Sequence, residues 1–400
     1  MNTILFDGYS RTDLLPFTFT RPVAAIRFGI LTIAEKWQKQ LNSAVSYLTQ
    51  DYLQPKFPLL TQADNLLING SVCPDEILLS EINMLKPGEA LYAGNLLIAA
   101  HVKAADVADF DETAFQGTKV MSKQEKPLRI AFVYDIFSKN DKAIAADFEL
   151  LTNGRKSQPI SSTNQVVNPE RIFIEPGAKV EFSILNASAG PIYIGHNAEI
   201  MEGCKVRGPF ALCEHGGLKM DAKIYGPTTV GPHCKVGGEV NNVVFFAYSN
   251  KGHDGFLGNA VIGEWCNLGA DTNCSNLKNT YDEVKLWSYR TQRFDKTGLT
   301  FCGLMMADHA KCGINTMFNT GTVVGVGANI FGAGFPRNFI PSFAWGGAQG
   351  FDTFDLNKFY KMAAAMCSRR NVNFDETDKA MLAHVFQLTA EFRFWENKSA

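Results

Sequence analysis

Apolar positions recur along this chain in two rhythms. From Ile194, every sixth residue is aliphatic: Ile194, Ile200, Val206, Leu212, Leu218, Ile224, Val230 and Val236. If roughly a quarter of positions are aliphatic, chance gives such a series about once in 10^5. Four residues after each stands a mostly small one: Ala198, Cys204, Phe210, Gly216, Ala222, Thr228, Cys234 and Val240. The register returns at Ile262 and Leu268, and again at Met306, Cys312, Phe318, Val324 and Ile330. A period of six predicts a short flat strand plus a turn, three of which close one coil of about 18 residues. The aliphatic points into a triangular prism, the small residue fits the second inward place, and glycine suits the corner. The pattern predicts a β-helix of hexapeptide repeats over 168–340. Two stretches, 241–254 and 276–303, break the period and read as loops expelled from corners, where function tends to sit.

The first 160 residues carry the other rhythm. The stretches 3–6, 44–49, 66–70 and 90–102 read as strands. Ile26, Ile30, Ile33, Trp37 and Leu41 fall on one helical face, and 139–151 reads as a helix. This predicts an α/β domain over 1–160, joined through the polar stretch 153–165. After the solenoid, Leu356, Phe359, Ala363 and Met366 form one helical stripe, and Met381, Val385, Leu388 and Phe392 a second. C-terminal helices are expected over 350–400, with Asp375 as a cap for the second.

Composition narrows the class. The 400 residues are 46% hydrophobic and 20% charged, with a net charge of −2, so nothing favours a nucleic-acid partner. No apolar run reaches membrane-spanning length, and MNTILFDGYS has no signal-peptide character. Nine cysteines form no CxxC pair, and Cys204, Cys234, Cys266, Cys302 and Cys312 fall where the repeat wants a small apolar side chain. That is core usage in a reducing compartment, and a cytoplasmic location is expected. His215 and His233 lie 18 apart and should stack on one face; with no H-x4-H pair, no metal site is expected.

The candidate chemistry centres on 252–276, GHDGFLGNAVIGEWCNLGADTNCSN, where His253 and Asp254 sit between two glycines. Acyl transfer from a thioester to an amine needs a base near neutrality to take the amine proton. It also needs N–H donors for the oxyanion, which a corner such as Leu268-Gly269-Ala270 can offer.

That stretch resembles the G-H-x-x-Y-x-G-D-x-x-I-G-x-x-x-N-x-G-A-G-T-x-x-x-N motif of a bifunctional family. Its members join an N-acetylglucosamine-1-phosphate uridylyltransferase to a glucosamine-1-phosphate acetyltransferase, and the archaeal-type and alternative bacterial branch is the most similar. The resemblance implies a nucleotidyltransferase-like, shortened α/β domain followed by a left-handed parallel β-helix and C-terminal α-helices. It implies acetyl-CoA as co-substrate, an amino sugar or its phosphate as acceptor, and a homotrimer. His253 falls on the family's catalytic histidine, Asn267 and Asn276 on its active-site asparagines, and Ala270 on the alanine that meets acetyl-CoA; Gly269 and Gly313 accompany Ala270. Glu239 falls on the glutamate of E-[MV]-K, to orient the imidazole or hold the sugar, and Arg207 resembles the I-R-P arginine.

Two departures concern the sugar phosphate: Asn241 replaces the lysine of E-[MV]-K, and Phe256 the tyrosine. Lys251, or Lys285 in the second expelled loop, would have to compensate. At the N-terminus, the glycine-rich nucleotide loop corresponds to Asp7-Gly8-Tyr9-Ser10-Arg11 and then Thr20-Arg21-Pro22-Val23. Gly8, Arg11 and Arg21 remain as nucleotide contacts, but Asp7, Tyr9 and Val23 replace two glycines and the lysine. Three functions stay open: an acetyl-CoA-dependent N-acetyltransferase; a bifunctional enzyme that also uses UTP or dTTP with Mg2+; and a non-catalytic sugar-nucleotide-binding solenoid.

Overall fold

The computed structural model describes residues 2–396. The chain divides into two compact units, one of residues 1–14, 20–26 and 31–132, the other of 15–19, 27–30 and 133–400.

The first unit is built on a six-stranded sheet in the order Val45–Leu48, Asn2–Phe6, Asp64–Asn69, Leu96–Lys103, Glu89–Ala93, Thr118–Met121. The first three strands run parallel, and Leu96–Lys103 returns antiparallel to Asp64–Asn69. Ile4, Phe6, Leu67, Ala100 and Val102 make its core. The helical stripe foreseen over 26–41 is helical only from Ile33 to Leu41. Gly29, at φ +84°, ends any helical path before it. Thr32 then starts the helix with a capping box, its side chain accepting from the Glu35 N–H and the Glu35 carboxylate from the Thr32 N–H. The helix Glu76–Asn83, capped by Asp75, was not legible in the apolar pattern, because only Leu78 and Ile82 are buried.

The second unit contains the short helix Asp135–Ser138, the helix Asn140–Thr152 and a parallel β-solenoid. Its strands fall on three faces. Face A stacks Ile172–Ile174, Ile192–Ile194, Phe210–Leu212 and Thr228–Val230. Face B stacks Lys179–Val180, Glu199–Ile200, Gly217–Leu218 and Lys235–Val236. Face C stacks Gln165–Val167, Ile184–Asn186, Lys205–Arg207 and Lys223–Tyr225. Every aliphatic of the six-residue series is buried, and all nine cysteines are buried thiols. Their transfer out of water is the main force closing the prism.

Both interruptions are informative. Residues 276–303 are expelled, as the pattern implied, and contain the antiparallel hairpin Lys285–Ser288 with Arg293–Lys296. Residues 241–254 are not a loop. The strand Glu239–Phe245 turns from face C into face A without a break, and Val236 lies opposite Lys251. The coil is shortened rather than opened, so the sixes fail without an insertion. The C-terminal helices Leu356–Ser368 and Glu376–Leu388 follow, the second with an Asp375–Asp378 capping box. Phe359 is fully buried against Phe343, whereas Leu388 of the second stripe is exposed. Among the described residues no helix is long and apolar enough to cross a membrane.

Candidate functional site

His253 lies at the corner between face B and face C, in the turn joining Asn250–Lys251 to Phe256–Ile262. Gly255, at φ +113°, is required there, because a Cβ would stand 2.2 Å from the Thr272 carbonyl oxygen. The side chains of His253 and Asp254 are exposed. Among the described residues the imidazole has no hydrogen-bond partner. The next coils place their own glycine turns at the same corner. The Asp271 N–H donates to the Asp254 carbonyl at 3.0 Å, and the Asn315 N–H to the Ala270 carbonyl at 2.8 Å. The Gly269 and Gly313 N–H groups are engaged by the Cys312 and Ile330 carbonyls. The half-buried Ala270 N–H has no acceptor among the described residues.

Face C carries Arg207, Glu239, Asn241 and Phe256. Asn241 lies opposite Tyr225 and Gly258, and Glu239 opposite Phe256. The Glu239 carboxylate accepts from the Tyr225 hydroxyl at 2.6 Å and makes no bond to His253. Burial, with the carboxylate beside it, pushes the Tyr225 hydroxyl up to about 12. Arg207 is exposed and without a partner among the described residues.

The remaining predicted residues lie elsewhere. Asn267 is exposed on face B, lining a cavity of about 630 Å3 with Asn250, Lys311, Arg369 and Arg370. Asn276 stands at the corner between faces C and A, the far edge of face C from His253. Its amide donates to Asn259 at 2.8 Å, and with the Asn242 amide oriented to satisfy both its ends the Asn259 amide donates to Asn242 at 3.1 Å, which makes a ladder between coils. Lys285, on the expelled hairpin, lines a cavity of about 820 Å3 with Trp287, Arg337 and Phe394. Lys251 is buried at 1% exposure, and its ammonium donates to the carbonyls of His253 (2.9 Å) and Gly237 (3.2 Å). It is not placed to meet a sugar phosphate on the surface.

At the corner between faces A and B, His215 and His233 stack at 4.8 Å, as their spacing implied. They belong to a longer ladder: His233 stacks on Tyr248 at 4.7 Å, and Tyr248 on Trp265 at 4.2 Å. The shortened coil hid the tyrosine and tryptophan from an 18-residue count. Among the described residues no three His, Cys, Asp or Glu side chains gather to hold a metal ion.

In the first unit the turn 7–11 is filled by the protein itself. Asp7 does not face outward: its carboxylate accepts from the Val23 N–H (2.7 Å) and the Thr49 hydroxyl (2.5 Å) and pairs with Arg11 (3.3 Å). Burial nonetheless pushes its carboxyl up. Arg11 reaches the Tyr52 hydroxyl at 2.9 Å, and Arg21 is buried. The Glu112 carboxylate accepts from the Tyr9 N–H and lies 3.0 Å from where a Cβ on Gly8 would be. A cavity of about 830 Å3 beside it is lined by Tyr9, Asn69, Tyr92, Glu112, Lys119 and Arg129, so its cations are ones the motif did not point to.

Residues 3–156 match the model of the family described as Sugar nucleotidyl transferase. The chain is 26% identical over 176 residues to the Bifunctional protein GlmU of Geotalea uraniireducens, covering 38% of this chain and 37% of that protein. It is 27% identical over 188 residues to the same-named protein of Cyanothece sp., covering 41% and 40%. It thus spans about two fifths of the length of these relatives. Among solved structures, the UDP-N-acetylglucosamine acyltransferase of Francisella novicida is similar at 15% identity and a TM-score of 0.30, over 56% of this chain and 78% of that one. The family model thus covers the first unit and the start of the second, and the matches to the two GlmU proteins span about two fifths of this chain.

Proposed function

We propose that the solenoid is an acetyl-CoA-dependent N-acetyltransferase acting on an amino sugar or amino-sugar phosphate. The observation that carries this reading is the corner at 252–255: an unengaged histidine whose turn is bonded to the one holding the open Ala270 N–H. His253 takes the proton as the amine nitrogen attacks the thioester carbonyl. The Ala270 N–H meets the oxyanion, the C–S bond breaks, and CoA leaves as the thiol. Face C, with Arg207, Glu239, Asn241 and Phe256 beside that corner, receives the sugar. Asn267 and Asn276 lie on a different face and at a different corner, so one chain does not gather all three family positions. A homotrimer, in which a second copy supplies the missing wall, follows from that separation. Thiol release from acetyl-CoA with a panel of amino sugars tests the activity, and light scattering the assembly. A panel that yields no thiol, or an active monomer at micromolar concentration, contradicts the respective statement.

The match over residues 3–156 favours a second reading, in which the first unit also handles a sugar nucleotide. The geometry at 7–11 weighs against transfer. Glu112 occupies the N–H that a nucleotide phosphate would take, and Asp7 is engaged by Val23, Thr49 and Arg11, which leaves no carboxylate of the turn for Mg2+.

A further inference from the structure

Along face B the inward column reads Ile200, Leu218 and Val236, then Lys251, then Leu268, Cys312 and Ile330. One lysine thus stands inside a column of apolar side chains, within two residues of the candidate base. The repeat can fill that place with any aliphatic, and an apolar side chain there would cost nothing in desolvation. The ammonium lies within hydrogen-bond distance of two backbone oxygens, Gly237 from the preceding coil and His253 from its own turn. A turn between two glycines has few steric constraints of its own, so its shape must be imposed by a contact. The Asp271 N–H holds the Asp254 carbonyl, and Lys251 supplies the contact on the His253 carbonyl itself.

We propose that Lys251 is a positioning residue: its buried ammonium ties the His253 carbonyl to the preceding coil and so fixes the direction in which the imidazole leaves the corner. The inference rests on the acetyltransferase reading for its consequence, but not for its geometry. Without the ammonium, the His253 carbonyl keeps no side-chain donor and the turn between the glycines relaxes.

The charge that makes this bond is held at a cost. Burial pulls Lys251 down to about 8, with Asp254, Asp271 and Cys312 opposing that shift. The unfolded lysine keeps its proton to about 10.4. Between about 8 and that value the unfolded chain therefore binds more protons, and stability attributable to Lys251 rises with pH. Positioning and stability have opposite signs at this residue.

The test compares the native chain with Lys251→Met, which restores an apolar side chain of similar length. Hydrogen exchange in the peptide spanning 249–257 should accelerate about tenfold or more in the variant, with faces A and B elsewhere unchanged. With acetyl-CoA and glucosamine-1-phosphate, kcat should fall about 10- to 100-fold while KM for acetyl-CoA moves less than about threefold. The Tm should be equal or higher, and the rise in Tm between about pH 8 and 10 should be smaller than in the native chain. The native kcat should also decline as pH passes about 8. Unchanged exchange at 249–257 overturns the proposal whatever the activity. So does a Tm that falls together with kcat, which marks Lys251 as a structural filler. If the variant does not fold, a native kcat flat from pH 7 to 9 overturns it. A native chain that transfers no acetyl group refutes the acetyltransferase reading alone, because the exchange and Tm arms still decide the role of Lys251.

Discussion

The corner at 252–255 and the turn at 7–11 are built from the same materials: glycine at positive φ, backbone N–H groups and ionisable side chains. They differ in what fills them. At the corner, the lysine is turned inward onto carbonyls, the imidazole is exposed, and the neighbouring Ala270 N–H is open. At the turn, the aspartate is buried, both arginines are drawn inward, and Glu112 sits on the Tyr9 N–H. A site is defined less by its motif than by which polar groups the fold leaves unsatisfied. By that measure the solenoid corner is poised for a ligand, and the N-terminal turn already contains its own anion.

The contrast can be broken at three places, the largest effect first. If Glu112 substitutes for a phosphate, the native chain should release no pyrophosphate above background from UTP or dTTP with a sugar 1-phosphate and Mg2+. Glu112→Ala should then bind the triphosphate about tenfold or more tightly by calorimetry, since an anion no longer competes for the Tyr9 N–H. Robust pyrophosphate release by the native chain would show that the turn opens in solution. On face C, Asn241→Lys places a cation beside the proposed sugar site. A charge-assisted bond of about 1.5–3 kcal/mol predicts a 10- to 100-fold gain in kcat/KM for glucosamine-1-phosphate over the unphosphorylated sugar. The native chain should show little such preference, because Lys251 is buried; a strong native preference would point to Arg207 or to the hairpin. The smallest effect belongs to the asparagine ladder. Asn276→Ala should cost about 1–2 kcal/mol in denaturant unfolding by leaving Asn259 without its donor, with kcat within about tenfold of native. A collapse of kcat at unchanged stability would make Asn276 a site residue contributed across a subunit interface.

The solenoid was legible because its core is a one-dimensional code: each inward place recurs at fixed spacing, and Ile194 to Val236 could be read without any long-range contact. The code failed where a coil shortened. There 241–254 looked like a loop, and the stacking of Tyr248 and Trp265 onto the histidines was lost. The first unit was less legible because its turns are held by pairs distant in sequence. Nothing in 7–11 announces Glu112, and nothing near Trp37 announces the Val72 carbonyl its indole meets at 2.8 Å. At the site, the motif singled out His253, which the structure puts at a solenoid corner rather than on an expelled loop, while the direction of the Lys251 side chain could not be read. A lysine beside a predicted phosphate site suggests a ligand contact, and only its register opposite Val236 shows that it points inward.

The central claim, that His253 is the base of an acetyl transfer at an otherwise ordinary solenoid corner, is tested most directly by CoA thiol release in His253→Ala. A general base is worth roughly 10^2–10^4 in rate, whereas an exposed, unbonded side chain contributes little to stability. The account predicts a loss of that size in kcat at saturating acetyl-CoA and amino sugar, with unchanged CoA affinity and Tm. Turnover within about threefold of the native chain would contradict it.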